Sequence, residues 1–286
     1  MGCNARADAI EFPGPVVSCG WLRERLGHPG LVLLEARLQA VAPGQPQGGP
    51  LGIPGARVFD LEWIRDRSSK LPHTMPSPRE FEVELQGLGV CSESRVVVYD
   101  PGGVYASPRV RWMIRAMGHD RVAVLDGGLD AWKAGGHPVE ANPGGGWDQG
   151  DFTAHPRAGW FTDAQGVMDA LEGGHACVVD ARSEGRFRGL DPEPRPGLRG
   201  GHMPGAVNLP YEEVLRGGHL RPLAELRDLL GRRVGDRSRL VFTCGSGVTA
   251  CLPALAAELA GYAELSVYDG SWSEWGSRED WPLARG

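Results

Sequence analysis

The sequence predicts an α/β protein built twice: two similar domains, each a mainly parallel sheet flanked by helices on both faces, related by duplication. Three observations carry the prediction. At 286 residues the chain is long for one core and comfortable for two of about 140 residues each. Short apolar runs rich in β-branched residues alternate with helical patterns, which suits a parallel sheet covered on both faces. Finally, four motifs recur in the same order in each half.

The repeat begins with "LLEAR" ending at Arg37, matched by "VVDAR" ending at Arg182, and continues with "GIPGA" around Pro54, matched by "GHMPGA" around Pro204. Next, "VVVYDPGGVYASPRV" from Val96 lines up with "LVFTCGSGVTACLPA" from Leu240, so that Asp100 falls opposite Cys244. Then "LDGGLDAW", with Asp126, Gly127 and Trp132, echoes "YDGSWSEW", with Asp269, Gly270 and Trp275. Two glycine-rich turns can agree by chance, but four motifs in register point to duplication.

In chain order, the expected strands of the first half are "LVLLEA", "RVVVYD" and "RVAVLD", and those of the second are "ACVVDA", "RLVFTC" and "ELSVYD". Val110, Met113, Ile114 and Met117 repeat with helical spacing after Pro108, as do Leu252, Leu255, Ala256 and Leu259. Both central loops therefore feed helices whose apolar stripes pack a core. The stretch "GGHPVEANPGGGWDQGDFTAHPR" lacks periodicity and is rich in Gly and Pro, so it is expected to be a linker with the boundary between residues 140 and 156. This sets the domains at 14–140 and 156–286.

Composition excludes several function classes. Apolar residues make up 41% of the chain and charged residues 23%, as in ordinary globular proteins, and no run of about 18 apolar residues is present to span a bilayer. A formal charge of -6 argues against a nucleic-acid footprint. Six scattered cysteines show no disulfide framework, no C-x-x-C and no Cys/His ladder, so neither a structural metal nor a cofactor is expected. The start "MGCNARADAI" lacks the regions of a secretory signal and reads as a short tail, which makes a reducing, cytoplasmic setting the expectation.

Chemistry concentrates at "TCGSGVTA". A cysteine at the C-terminal end of a strand, in a glycine turn that enters a helix, sits where open α/β sheets place ligands. Backbone N–H groups and the helix dipole favour an anion there, and such settings lower a thiol pKa from about 8.5 to roughly 3.5–7.5. A thiolate at Cys244, exposed to a cleft, is therefore expected. Cys177 and Cys251 read instead as small buried hydrophobes. Phosphate-transferring cysteine loops close with an arginine in a C-x5-R cradle, but Ala250 stands at that place, which disfavours phosphatase chemistry.

"CGSGVTA", together with "DARSEGRFRG", "PEPRPG" and "GHMPGAVNLP", resembles the tandem-rhodanese sulfurtransferases, within them the branch that uses 3-mercaptopyruvate, from about residue 14 onward. Members that prefer thiosulfate carry C-R-K-G-V-T. Here Gly245 and Ser246 replace those basic residues, which suits a carbonyl donor better than a dianion. The resemblance implies that Cys244 takes sulfur from 3-mercaptopyruvate as a persulfide, releases pyruvate, and passes the sulfur to a thiol, a thioredoxin-like dithiol protein or cyanide. It also implies that the loop residues Gly245, Gly247, Val248 and Thr249 and two arginines, Arg186 and Arg195, bind the substrate; guanidinium forks suit a carboxylate beside a carbonyl. Arg182 is expected to support structure through Asp180.

The resemblance further implies a Ser246, His73 and acid relay reaching across from the first domain, with Glu62 where the mercaptopyruvate branch often has aspartate. Asp100 cannot carry a persulfide, so the first domain is expected to be catalytically silent and to wall the cleft. Thiosulfate sulfurtransferase activity, or a non-enzymatic sulfur-binding or interaction module, are the alternatives.

Overall fold

In a computed structural model the chain is described over residues 10–39, 49–141, 146–174 and 176–286. The expected amino-terminal tail, residues 1–9, and part of the expected linker, residues 142–145, lie outside the described residues.

The first half forms a five-stranded parallel sheet from β1 (Val16–Val17), β2 (Leu31–Arg37), β3 (Arg57–Asp60), β4 (Arg95–Tyr99) and β5 (Val122–Leu125). Their order across the sheet is β1-β5-β4-β2-β3. The second half repeats it with β6 (Phe161–Thr162), β7 (Ala176–Asp180), β8 (Val207–Asn208), β9 (Arg239–Thr243) and β10 (Glu264–Tyr268), ordered β6-β10-β9-β7-β8. First, fifth, fourth, second, third is thus the order in both sheets, and every neighbouring pair is parallel. All six strands expected from apolar runs are present. The four strands of these two sheets that periodicity did not reveal, β1, β3, β6 and β8, are edge strands of only two to four residues, too short to carry a pattern.

Helices cover both faces because side chains alternate along each strand. In the first half Val32, Leu34, Val96 and Val98 face one core, shared with α2 (Pro78–Gly87) and α3 (Ser107–Ala116), while Leu33, Val97 and Ala123 face another. On that second face lie α1 (Cys19–Arg23) and α4 (Gly128–Ala134), the latter placing Trp132 fully inside. The second half repeats the layers with α7 (Leu223–Val234) and α8 (Cys251–Ala260) on one side and α5 (Ala164–Gly173) and α9 (Ser271–Trp275) on the other. α2 opens on a reciprocal capping box between Ser77 and Glu80, with Pro78 in the first helical turn.

The linker expectation needs correction from residue 147 onward. Trp147 lies under the Arg57 guanidinium at 4.6 Å, and Phe152, 1% exposed, is inserted beside Phe81 in the first half's core. The N–H groups of Gly150, Phe152 and His155 are bound by carbonyls of Gln86, Val90 and Met117. One large apolar side chain and a ladder of backbone bonds hold the strip down despite its Gly and Pro content.

The halves meet along α3 and α8, where Arg111 and Arg115 both pair with Glu258 at 2.7 Å. Each central loop also inserts a valine into the opposite core: Val104 lies with the second half's residues and Val248 with the first's. Cys19, Cys177, Cys244 and Cys251 are free thiols. Among the described residues no helix is long and apolar enough to cross a membrane, and no group of three or more His, Cys, Asp or Glu could hold a metal ion.

Candidate active site

The end of β9 delivers Cys244 into a turn that runs to Ala250 before α8 begins. Its conformation depends on two glycines. Gly247 has φ +77°, and a Cβ there would come 2.9 Å from the Asp269 carbonyl. A Cβ on Gly245 would lie 3.0 Å from Nη2 of Arg186, so this position keeps room for the guanidinium. The N–H of Cys244 donates to Ser271 Oγ at 3.2 Å, and the carbonyls of Cys244 and Gly245 accept from Trp272 and Ser273 at the start of α9. The N–H groups of residues 245 to 250 have no acceptor among the described residues.

A cavity of about 410 Å³ opens over this turn. Cys244, Gly245, Ser246, Val248 and Thr249 form its floor, and Arg186, Arg195 and His73 stand in its walls. Cys244 lines the cavity, as expected of a sulfur that faces a cleft, but at 1% exposed it is almost withdrawn from bulk solvent. Gly247 and Glu62 do not line the cavity; Gly247 turns toward the domain interface and Glu62 stands behind His73.

The three residues anticipated to form a relay across the interface are brought together. Ser246 Oγ lies 3.0 Å from Nδ1 of His73, and His73 Nε2 lies 3.0 Å from Oε1 of Glu62. His73 is 2% exposed, and its hydrogen bond holds the Glu62 carboxyl below the ordinary range of a carboxylate, against the opposing pull of burial. Glutamate in place of the more usual aspartate therefore reaches the imidazole. His73 also has φ +59°, a left-handed conformation that costs a non-glycine residue about 1–3 kcal/mol. Counting back five residues from α2 and from α7 pairs His73 with Gly218, which has φ +83°. The duplicate has a glycine at this place, whereas the first half holds an imidazole in the same left-handed conformation at the cost of strain.

The two arginines expected to bind substrate differ in their surroundings. Arg186 is 22% exposed and pairs through Nη2 with the buried Glu193 at 2.5 Å. Arg195 has no partner among the described residues, and burial holds its guanidinium below the ordinary value while the Cys244 sulfur pulls the other way. An unpaired, half-buried cation aimed into a cavity is a ready anion site. Arg182 takes the supporting role expected of it: it is 1% exposed, binds Asp180 at 2.6 Å and Glu193 at 2.7 Å, and lies 3.8 Å over the Trp272 ring.

Sequence reasoning missed Tyr105 and Tyr211, whose rings meet edge to face at 5.4 Å and close one wall. Tyr105 belongs to the first-half loop already aligned with the cysteine loop, so the signal existed. Glu193 and Ser271 were also missed: one sits within "PEPR" beside Arg195, the other within the "YDGSWSEW" repeat.

The chain resembles known proteins along most of its length. The rhodanese-like domain matches it twice, over residues 18–135 and 163–278. The 3-mercaptopyruvate sulfurtransferase of Homo sapiens is 39% identical over 275 residues, covering 91% of each chain. The thiosulfate sulfurtransferase of Mus musculus is 38% identical over 274 residues, again covering 91% of each. Among solved structures, the 3-mercaptopyruvate sulfotransferase SseA of Escherichia coli superimposes with a TM-score of 0.80 at 34% identity, over 90% of this chain and 98% of that one.

Proposed function

Because this chain belongs to the rhodanese family in both of its halves, we propose that it is a sulfurtransferase that moves sulfur from 3-mercaptopyruvate through a persulfide on Cys244. The observation that carries the reading is the cavity itself. It brings one cysteine, an unpaired arginine and a Ser-His-Glu relay drawn from both halves to a single small volume.

In this reading Arg195 and Arg186 hold the donor's carboxylate and adjacent carbonyl, so that its thiol sulfur faces Cys244. The Cys244 sulfur attacks that atom, a sulfur–sulfur bond forms and the carbon–sulfur bond breaks with its electron pair left on carbon. The resulting enolate is met by the arginines and by donors of the 245–250 turn. Ser246, within hydrogen-bond reach of His73, carries the proton lost from the donor thiol, and one proton returned to carbon completes pyruvate. A small thiol, a thioredoxin-like dithiol protein or cyanide then takes the outer sulfur. The first domain, residues 14–140, is silent, with Asp100 in place of a nucleophile, and the second, 156–286, is active. We place the reaction in the cytoplasm, where such acceptors are at hand.

Turnover of each donor with a dithiol acceptor tests the reading, followed as pyruvate from 3-mercaptopyruvate and as sulfite from thiosulfate. Turnover with 3-mercaptopyruvate well above that with thiosulfate is expected. A large thiosulfate advantage would assign the chain to thiosulfate sulfurtransferase activity, an alternative the mouse relative keeps in view. Absence of turnover with both donors would leave a non-enzymatic sulfur-binding module.

A further inference from the structure

The relay is split between the halves, so its geometry depends on whatever holds them together at that point. Arg109, on α3 of the first half, is fully buried and aimed there. Its Nη2 donates to the His73 carbonyl and to Asp269 Oδ1, each at 2.7 Å, and its Nη1 donates to the Gly247 carbonyl at 3.3 Å, with the guanidinium 4.7 Å from the Phe161 ring centre. Asp269 Oδ2 in turn accepts the Met75 N–H at 2.7 Å. One guanidinium thus touches the backbone of His73 and that of the residue following Ser246, and its carboxylate partner grips the chain two residues beyond His73.

The duplicate lacks this device. Asp126, the counterpart of Asp269, accepts the Leu220 N–H at 2.9 Å just as Asp269 accepts that of Met75, but its other partner is His219, 48% exposed. Aligning Asp100 with Cys244 puts Pro253 where Arg109 stands. The aspartate clasp is therefore common to both halves, and the buried arginine is added where the relay is. His73 keeps its φ of +59° only if the surroundings over-determine its backbone, and the bond from Arg109 to the His73 carbonyl does that.

We propose that Arg109 is a positioning residue that seats the His73 imidazole between Ser246 and Glu62. It acts through His73 and touches no substrate. The inference rests on the relay serving the mercaptopyruvate reaction. A lysine would keep the charge and lose the planar fork that reaches three acceptors.

The test is a double-mutant cycle of Arg109→Lys with His73→Ala, read by steady-state kinetics with 3-mercaptopyruvate across pH. Arg109→Lys alone should lower kcat by about 10- to 100-fold, as small misplacements of reacting groups do, with KM within about threefold and a pH profile altered like that of His73→Ala. In the His73→Ala background the same change should cost less than about twofold, because its effect has already been lost. An equal loss in both backgrounds, or a wild-type kcat and profile for Arg109→Lys, would overturn the proposal. Should the lysine variant fail to fold, Asp269→Asn enters the same cycle with the same two outcomes. Nitrogen NMR signals of the His73 ring, read without substrate, separate this inference from the activity itself. They should move in Arg109→Lys, and unchanged signals overturn the positioning role whether or not the wild type turns over the donor.

Discussion

After Asp100 and after Cys244 the chain leaves a central strand, turns for six residues and enters a helix, but the two turns are finished differently. In the first, the Asp100 carboxylate folds back into its own loop and accepts the N–H groups of Tyr105, Ala106 and Ser107 at 2.7 to 3.2 Å. The Ser107 hydroxyl donates to it as well. In the second, the N–H groups of residues 245 to 250 have no acceptor among the described residues, and the side chain at the aspartate's place is a cysteine at the floor of a cavity. The same backbone cradle is thus sealed by an internal anion in one half and left for an external one in the other. The two turns thus part company in the chemistry of a single residue pair, without any difference in topology.

Replacing residues on either side of this comparison should have unequal effects. Cys244→Ser is expected to lower sulfur transfer by more than about 10⁴-fold with the fold intact, since a hydroxyl neither attacks nor carries sulfur under these conditions. Assays of pyruvate release beside a circular dichroism melt check both halves of that statement. Asp100→Ala should do the opposite, leaving transfer per folded molecule near wild type while stability falls by about 2–4 kcal/mol, because several buried donors lose their acceptor together. Urea titration measures it.

The same aspartate gives stability a pH dependence. Burial pushes its carboxyl from 3.8 up to about 6, against the pull of its four donors. The folded state then binds more protons than the unfolded chain across that interval. Its contribution, roughly 1–3 kcal/mol, is fully present below about pH 4 and lost as pH rises through about 6. Melts of Asp100→Asn should lack this slope, and an unchanged slope would assign it elsewhere. The smallest effect is expected at the cavity wall: Arg195→Ala should raise KM for 3-mercaptopyruvate by about 10- to 30-fold, the worth of one charge-assisted hydrogen-bond pair, with kcat reduced less.

The duplication was legible because parallel strands buried on both faces write themselves as long apolar runs, and the turns between them need glycines at set places. Cys244, Ser246, His73, Glu62, Arg186 and Arg195 were legible as a group only through resemblance, since no local pattern joins His73 to Ser246 across 173 positions. What escaped has a common physical character. Phe152, Arg109 and Ser271 each belong to a segment whose neighbours are set by tertiary packing, and a fully buried arginine such as Arg109 looks in sequence like any surface charge on a helix. The near-complete burial of Cys244 also escaped, because strand-end turns usually present their side chains to solvent, whereas here the opposing half walls the cavity over the turn with Tyr105 and His73.

Intact-protein and peptide mass spectrometry after brief exposure to 3-mercaptopyruvate, under conditions that preserve persulfides, tests the central claim most directly. A gain of about 32 Da on the peptide containing Cys244, absent from Cys244→Ser and matched by one equivalent of pyruvate, is predicted. No adduct, or an adduct carried by Cys19, Cys177 or Cys251 instead, would contradict the account.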